Sequence, residues 1–330
     1  MLFSKEKWND AEEIQPYLQT SSALSFKKCA SSFQQAEDKY LEPMLGAAML
    51  SRVVRAYNDA NPSELDTKLV TILQGAEGNL AFYENFDEFQ TRLTDQGLQR
   101  QETEKFKQAY RYQEEKMRRT YLVRGLNYLE KAMAFLDKNL EKFEEWTSSP
   151  YCLKRNSLIV RSASEISALH FVNDSPIIYL RLAPSISLFT ELKLPKVIGK
   201  DLCKKFLQAL KSGKEYLDED HKLITVEDFR KTCAKYIIFL ALADLVRNTG
   251  SVTDRGLYFN SQSAVSVNPE ESVPGSRSQI EKQATMFDSR AASYISVLQD
   301  VVQNCFPSFY EGKECDVYKR DNYGKHTMFL

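Results

Sequence analysis

The sequence predicts an all-α protein of two related helical-bundle modules, with a long helix and a short C-terminal arm that is extended or forms a β-hairpin. Three observations predict this class: a helical apolar period through most of the chain, a repeated order of segments, and one phrase that occurs twice. The phrase is LTDQGLQ at residues 93–99 and VTDRGLY at 252–258. We expect the modules at residues 1–150 and 151–310, and the arm at 311–330.

The predicted helices of the first module follow from apolar spacing. One helix is predicted around Pro43 and another for residues 65–92. The clearest period runs from Thr103 to Trp146, where apolar residues recur at steps of three and four. At about 1.5 Å per residue this helix would span roughly 65 Å, so we expect it to bend near Gly125 or to project from its module. Pro150 marks the first strong break after it.

The second half of the chain repeats the order of the first. Three further pairs of segments match in sequence order: Phe26–Gly46 with Tyr179–Gly199, residues 72–86 with 231–245, and residues 124–136 with 290–302. Chance similarity between amphipathic helices is the alternative explanation. The conserved order favours a duplicated helical module, with the TDxGL phrase as the same loop in each copy.

The TDxGL phrase has two interpretations. Thr and Asp cap the chain locally, and Gly permits backbone conformations that other residues resist, which is typical of a simple turn. The other interpretation is an assembly loop that contacts a neighbouring subunit. Its candidate residues are Thr94, Asp95 and Gly97 in the first copy, and Thr253, Asp254 and Gly256 in the second.

The last twenty residues differ in kind from the helical segments. They place alternating polar and apolar residues on either side of the turn sequence DNYG and end in an apolar hook. A frayed terminus is one interpretation. The other is an arm that pairs with a strand edge of a partner. The candidate partner-binding residues are Tyr318, Tyr323, Met328, Phe329 and Leu330.

Composition favours a soluble globular protein. The 330-residue chain carries 44 basic and 45 acidic residues, and 43% of its residues are hydrophobic. This balance excludes a polycationic nucleic-acid-binding protein. The six cysteines lack CxxC pairs, so we expect them to be reduced core residues. The most apolar run, Tyr236–Val246, is too short to span a membrane and predicts a buried helix, and the charged N-terminus has no signal segment.

The sequence shows no signature of catalysis. Its three histidines are His170, His221 and His326, which lie far apart, and it contains no phosphate-binding loop, dinucleotide-binding turn or nucleophile elbow. Acidic pairs lie among lysines, as on solvated helix faces. We therefore predict no enzymatic activity, no cofactor and no metal.

One basic patch remains a candidate binding surface. The stretch KMRRTYLVR combines basic side chains with Tyr121, so it would suit DNA or a phosphate-rich channel. A polar stripe that flanks a core-facing stripe is the alternative. The possible DNA-facing residues are Lys116, Arg118, Arg119 and Arg124.

Four segments of the first half carry a resemblance: YLEPMLG, a helix ending in LAFYENF, LTDQGLQRQETEKFKQAYRYQEEKM, and RGLNYLEKAMAFLD. In this order they resemble an uncharacterised family encoded in the structural gene clusters of tailed phages and prophages of Bacteroidetes. Members of that family resemble head-to-tail connector (adaptor) proteins. The resemblance covers Tyr40–Asp137 and, as a degenerate second copy, Tyr179–Val302.

The resemblance implies a non-enzymatic virion protein located in the neck and synthesised in the host bacterial cytoplasm. It implies a ring, expected to be twelvefold, that joins the portal to the tail around the DNA exit channel. The implied partners are copies of the chain, the portal, tail or further ring proteins, and passing DNA bound without sequence specificity, with no membrane involved. The duplication departs from the family pattern, because a simple connector needs only one module.

Two other functions stay open at this point. One is a cytoplasmic helical-repeat scaffold that binds a partner protein in a groove between modules. The other is a nucleic-acid-processing helper that uses the stretch from Lys116 to Arg124.

Overall fold

The structure is a computed structural model, and it describes residues 1–330 apart from 21–23, 95–96, 101–110, 173, 218–222, 250–276 and 311–330. The described chain is almost entirely helical, which confirms the all-α class. It divides into two compact units: Met1–Arg155 with Ser175–Ile177, and Asn156–Asp174 with the chain from Ile178 onward. The chain thus passes from the first unit to the second after Arg155, five residues after the break predicted at Pro150.

The first unit contains eight described α-helices and one hairpin. These are α1 (Phe26–Ala36), α2 (Glu42–Leu45), α3 (Ala47–Asn58), α4 (Glu64–Glu84), α5 (Phe86–Gln90), β1 (Thr91–Thr94), β2 (Gly97–Arg100), α6 (Arg111–Lys138), α7 (Glu144–Thr147) and α8 (Pro150–Asn156). Short 3-10 turns cover Asn9–Ala11 and Leu140–Lys142, and a π turn covers Glu37–Leu41.

The second unit is built from seven described α-helices. These are α9 (Ala163–Ser167), α10 (Pro176–Leu192), α11 (Leu194–Ile198), α12 (Lys200–Ser212), α13 (Val226–Thr249), α14 (Arg277–Cys305) and α15 (Pro307–Tyr310).

A buried helix packed antiparallel against a long helix forms the centre of each unit. In the first unit, Gly75 of α4 lies against Tyr128 of α6, and Leu80 of α4 lies against Gly125 of α6. The later residue of α4 thus contacts the earlier residue of α6, as in an antiparallel pair. The second unit repeats this arrangement in α13 and α14. Phe229 meets Phe306, Phe239 stacks on Tyr294, and Arg247 pairs with Glu281.

The buried helices α4 and α13 have the same N-terminal cap. Ser63 Oγ accepts a hydrogen bond from Asp66 N at 3.1 Å and donates to the Asp66 carboxylate. Thr225 Oγ1 makes the same two bonds with Asp228, also with a 3.1 Å backbone bond. Each hydroxyl satisfies an N–H that the first helical turn leaves without an intrahelical acceptor.

A glycine with positive φ precedes the matching helices α3 and α12. Gly46 has φ 79° and ψ 154°, and Gly199 has φ 89° and ψ 144°. This backbone region is nearly restricted to glycine. The two glycines are aligned with each other in the sequence comparison, so the structure supports the register of the repeat.

The long helices also repeat position by position. Gly125 corresponds to Ala291 and Leu136 to Val302, and all four are buried. Arg124 and Arg290 correspond and are both exposed. The predicted buried helix at Tyr236–Val246 is confirmed, because this run lies inside α13 in the core.

The predicted long helix is shorter than expected, and the prediction of one helix over residues 103–146 is wrong at its C-terminal end. Asn139 leaves helical geometry at φ −124° and ψ 35°, and its side chain donates to the Phe135 carbonyl at 2.7 Å. The chain then turns so that Phe143 and Trp146 enter the core. The 28-residue α6 spans about 42 Å and continues through Gly125, which packs against Leu80.

Two other helix predictions need correction. The single helix expected over residues 65–92 is divided, because α4 ends at Glu84, the short helix α5 follows, and strand β1 begins at Thr91. The helix expected around Pro43 is divided by the π turn and by Gly46. The break assigned to Pro150 is in fact the first residue of α8, where its fixed φ suits a helix start.

Candidate functional site

The first TDxGL phrase forms a β-hairpin that lies between α4 and α6 in the chain. Strands β1 and β2 are antiparallel, with Thr91 opposite Arg100 and Leu93 opposite Leu98. Thr94 and Gly97 form the last pair. Asp95 lies outside the described residues. The predicted assembly loop is therefore a short two-stranded sheet, which the helical period around it did not predict.

An aromatic cluster holds the base of the hairpin. Phe82 of α4 stacks on Phe89 of α5 with ring centroids 4.3 Å apart. Tyr121 of α6 meets Phe82 at 5.9 Å and Phe86 at 6.1 Å. Burial raises the pKa of Tyr121. The rings join α4, α5 and α6 just before the chain enters β1, so they fix the segment that leads into the hairpin.

Ion pairs surround the same base. Arg118 lies 3.7 Å from Asp87 and 5.3 Å from the centre of the Tyr83 ring. Glu84 accepts from Lys39 at 2.7 Å and from the Tyr40 hydroxyl. Burial alone would raise the pKa of Glu84, but these two hydrogen bonds lower it below its ordinary value. The charged side chains here hold α4, α5 and α6 together.

The structure does not bring the four predicted DNA-facing residues onto one surface. A helix advances about 100° per residue, so Lys116, Arg119 and Arg124 lie within about 140° of one another around α6, whereas Arg118 points to the other side. Arg118 contacts Asp87, and Arg119 is half-buried. Lys116 and Arg124 are exposed.

Arg124 instead lines a shallow cleft. The other lining residues include Tyr17, Asn127, Tyr128 and Lys131. The rings of Tyr17 and Tyr128 meet edge to face at 6.2 Å. Sequence analysis missed this grouping because Tyr17 lies in the N-terminal segment, far from α6 in the chain.

A buried polar network lies behind the cleft. Glu77 of α4 is fully buried and accepts from Leu2 N at 3.0 and 3.2 Å. Gln74 donates to the Leu2 carbonyl at 2.8 Å and to Glu13 at 3.2 Å, and Tyr57 donates to Glu13 at 2.6 Å. Burial raises the pKa of Glu77 to about 8. The network fixes the N-terminal segment against α4.

The second unit has a buried cation instead. Arg230 is 2% exposed and donates to Glu165 at 2.7 and 3.2 Å and to Glu227 at 2.7 and 3.0 Å. Its guanidinium also contacts the Ile159 carbonyl. Burial alone would lower the pKa of Arg230, but the two carboxylates raise it. This cluster fastens the start of α13 to α9 and the segment before it.

Neither polar cluster was predicted from the sequence. The only local signal for Glu77 is its place between Gly75 and Gly78 in an otherwise apolar helix. Arg230 stands in an ordinary amphipathic pattern, and its partner Glu165 lies 65 positions away. Both clusters have a structural role, since their buried polar atoms form hydrogen bonds with one another.

The remaining predicted residues lie outside the described part of the chain. These are Thr253, Asp254 and Gly256 of the second phrase, and Tyr318, Tyr323, Met328, Phe329 and Leu330 of the arm. Among the residues that the structure does describe, no three His, Cys, Asp or Glu side chains are grouped to hold a metal ion. No helix in that part of the chain has the length and apolarity needed to cross a membrane.

Comparison with known proteins gives one family. The profile of DUF6712, a family of unknown function, matches residues 24–156 and again residues 194–322. No curated protein and no solved structure matches the chain. The two matched segments are consistent with the repeated helical frame of the two units. The chain belongs to the DUF6712 family and carries a segment of it in each half.

Proposed function

We propose that this protein is a non-enzymatic virion component, a head-to-tail connector that forms a ring joining the portal to the tail around the DNA exit channel. The proposal starts from the resemblance carried by the segments between Tyr40 and Asp137. The observation that carries it further is the hairpin β1–β2, whose phrase recurs in the second half of the chain.

The hairpin has the form of an assembly element. In a two-stranded sheet each strand is paired on one side, and no other described strand pairs with the outer edge of β1 or β2. Unpaired edge N–H and C=O groups are a template for a strand from another chain. A two-stranded hairpin is also only marginally stable alone in water, so a third strand from a neighbour would stabilise it.

The aromatic cluster gives this element a fixed position. Because Phe82, Phe89 and Tyr121 tie the start of β1 to the helix pair, the hairpin would reach the same place on every neighbouring subunit. A closed ring needs such a heterologous contact, with different surfaces on the two sides of each subunit. The second phrase, with Thr253, Asp254 and Gly256, would supply an equivalent contact.

The charge of the chain suits a channel that DNA passes through. With 44 basic and 45 acidic residues the protein has no large positive field that would hold DNA by its phosphates. Among the basic side chains of α6, Arg118 is paired with Asp87 and Arg119 is half-buried. DNA would therefore pass without being held strongly, and the resemblance implies that its contacts are not sequence-specific.

The hairpin is tested by removing it. A variant in which residues 91–100 are replaced by a glycine-serine linker is mixed with the portal of the same phage or prophage, and complexes are counted by mass photometry. We expect the ring to be lost while the helical circular dichroism signal is kept, because α4 and α6 pack through their own side chains. A ring that forms equally well without the hairpin would contradict the proposal.

The arm is tested separately. Deletion of residues 311–330 should abolish attachment to the portal, because the proposal assigns portal contact to Tyr318, Tyr323 and the apolar end. A partner that still binds after the deletion, with no affinity for the portal in either form, would favour the helical scaffold instead.

A further inference from the structure

Helices α1 and α10 occupy equivalent places in the repeat and bury equivalent positions. In the alignment of Phe26–Gly46 with Tyr179–Gly199, Cys29 corresponds to Leu182 and Phe33 to Ile186. All four side chains are buried in the cores of their units. The inward faces of the two helices therefore have the same character.

Their outward faces differ. The exposed positions of the first copy hold Lys27, Ser31, Gln35 and Lys39, all polar. The corresponding exposed positions of the second copy hold Leu180, Pro184, Leu188 and Leu192, which we call the α10 stripe. Leu180 is 58% exposed, Leu188 50% and Leu192 54%. The exposed face is thus polar in the first copy and apolar in the second.

Contacts on the inner side hold the α10 stripe outward. Ser185 donates to the Asp244 carboxylate at 2.6 Å, and Tyr179 donates to the Val160 carbonyl at 3.1 Å. The second family segment begins at residue 194, so α10 lies outside it, whereas α1 lies inside the first segment. An exposed apolar stripe on a fixed helix is typical of an interaction surface.

The charges beside the stripe indicate what covers it. Arg181 and Glu191 are both exposed, and they stand five positions before and five positions after Ile186. Two α10 helices packed antiparallel about Ile186 would bring Arg181 of each copy beside Glu191 of the other. The leucines of the stripe would then meet across about 18 Å of helix. A surface that complements itself in this way fits a twofold contact.

We infer that the α10 stripe is a site where a second copy of this chain docks through its own α10 in antiparallel orientation. The contact is independent of the hairpin. It would hold free chains in pairs, or join subunits that belong to two facing rings, because a twofold contact cannot by itself propagate around one ring.

The site is tested on the full chain by analytical ultracentrifugation over a concentration series. The wild type should shift from the 38.0 kDa single chain to twice that mass as concentration rises. A double variant, Leu188→Gln with Leu192→Lys, installs the residues found at the matching positions of the first copy, Gln35 and Lys39. It should weaken the association at least about tenfold, because the apolar contact is lost.

A matched control separates the stripe from general surface apolarity. Leu223 is 63% exposed in the same unit but lies outside α10, so Leu223→Lys should leave the association unchanged. Circular dichroism of each variant checks that the helices are kept. A wild type that remains a single chain at every concentration would overturn the inference, as would an association that the double variant does not weaken.

The orientation has its own test. Arg181→Glu alone and Glu191→Arg alone should each weaken the association, since each places like charges together in an antiparallel pair. The double variant carrying both changes should restore it. Failure of the restoration would overturn the antiparallel arrangement. None of these outcomes bears on portal binding, which is measured by mixing with the portal.

Discussion

The two units share a helical frame but differ in what their central helices bury. In the first unit, α4 buries Gln74, Glu77 and Asn79 among its apolar residues. In the second, the middle of α13 is apolar through Ile237 and Leu242. The comparison teaches that both units need a buried helix at this place. The buried residues of that helix can be polar where neighbouring groups form hydrogen bonds with them.

The second unit places its buried charge at the edge of the frame. Arg230 lies in the first turns of α13, where Glu165 and Glu227 reach it. Glu77 lies near the middle of α4, where Leu2 N is its hydrogen-bond donor. The Arg230 cluster joins neighbouring elements by paired charges. Glu77, by contrast, is a carboxyl that burial drives toward its neutral form.

The largest effect is expected for Arg230→Ala. The substitution removes the buried guanidinium that Glu165 and Glu227 share, while Arg161 still contacts both carboxylates. It should therefore reduce the free energy of unfolding by about 3 to 4 kcal/mol, the lower part of the range for breaking a buried ion pair. Guanidinium denaturation measures it. Arg247→Ala is the matched control, because Arg247 pairs with Glu281 and Asp288 at an exposed site and should cost less than about 1 kcal/mol. Equal losses for the two variants would contradict the role given to burial.

The next effect is a pH dependence that originates in Glu77. Its pKa rises from an ordinary 4.5 to about 8 in the folded protein, so the folded state keeps a proton that the unfolded state has lost between these values. Stability should therefore fall as pH rises from about 5 to 8 and level off above that.

Glu77→Gln should remove this part of the pH dependence, because an amide does not titrate. The variant should gain about 4 kcal/mol relative to the wild type between pH 5 and pH 8.5. Thermal unfolding at both pH values gives the difference. Glu64→Gln is the control, since Glu64 is exposed. Parallel stability profiles for the wild type and Glu77→Gln would show that Glu77 is charged throughout.

A smaller effect is expected where the central helices touch. A Cβ at Gly125 would lie 2.5 Å from Leu80 Cγ, so Gly125→Ala must push α4 and α6 apart. The clash should outweigh the helix propensity gained and cost about 1 to 3 kcal/mol.

The reverse substitution in the second unit provides the comparison. Ala291, which corresponds to Gly125, already fits its helix pair, so Ala291→Gly should cost only about 1 kcal/mol through helix propensity and lost packing. Urea denaturation of both variants measures the pair. A stabilised Gly125→Ala would contradict the close approach of α4 and α6.

The smallest difference is expected between the two positive-φ glycines. Gly46→Ala and Gly199→Ala should each cost about 1 to 3 kcal/mol, because alanine resists this backbone region. A Cβ at Gly46 would also lie 3.3 Å from the Ser149 Cβ, whereas nothing lies within 4 Å of one at Gly199. Gly46→Ala should therefore show the larger drop in thermal midpoint. The opposite order would mean that the two turns are not equivalent.

The sequence predicted those features that depend on local chemistry. The apolar period predicted the helices, and the spacing of Gly46, Gly199, Tyr128 and Tyr294 predicted the register of the repeat. Helix ends were less accurate because they depend on tertiary contacts. Trp146, for example, leaves the line of α6 because its ring enters the core and its Nε1 bonds Asp137 at 3.1 Å.

The site was predicted only in part. The repeated phrase identified Thr94 and Gly97 as a loop, but not that four residues on either side would pair as strands. The basic patch was predicted from residues that are close in sequence, and the helix turns Arg118 away from the side that holds Lys116, Arg119 and Arg124. Glu77 could not be found because its donor comes from Leu2, 75 positions away.

The central claim is that this chain closes into a ring on a portal. The most direct measurement is the mass of the complex formed when the purified 38.0 kDa protein is mixed with the portal of the same phage or prophage. A single complex that contains twelve copies of the chain on one portal is the predicted result. A protein that leaves the portal unbound, at any mixing ratio, would contradict the claim.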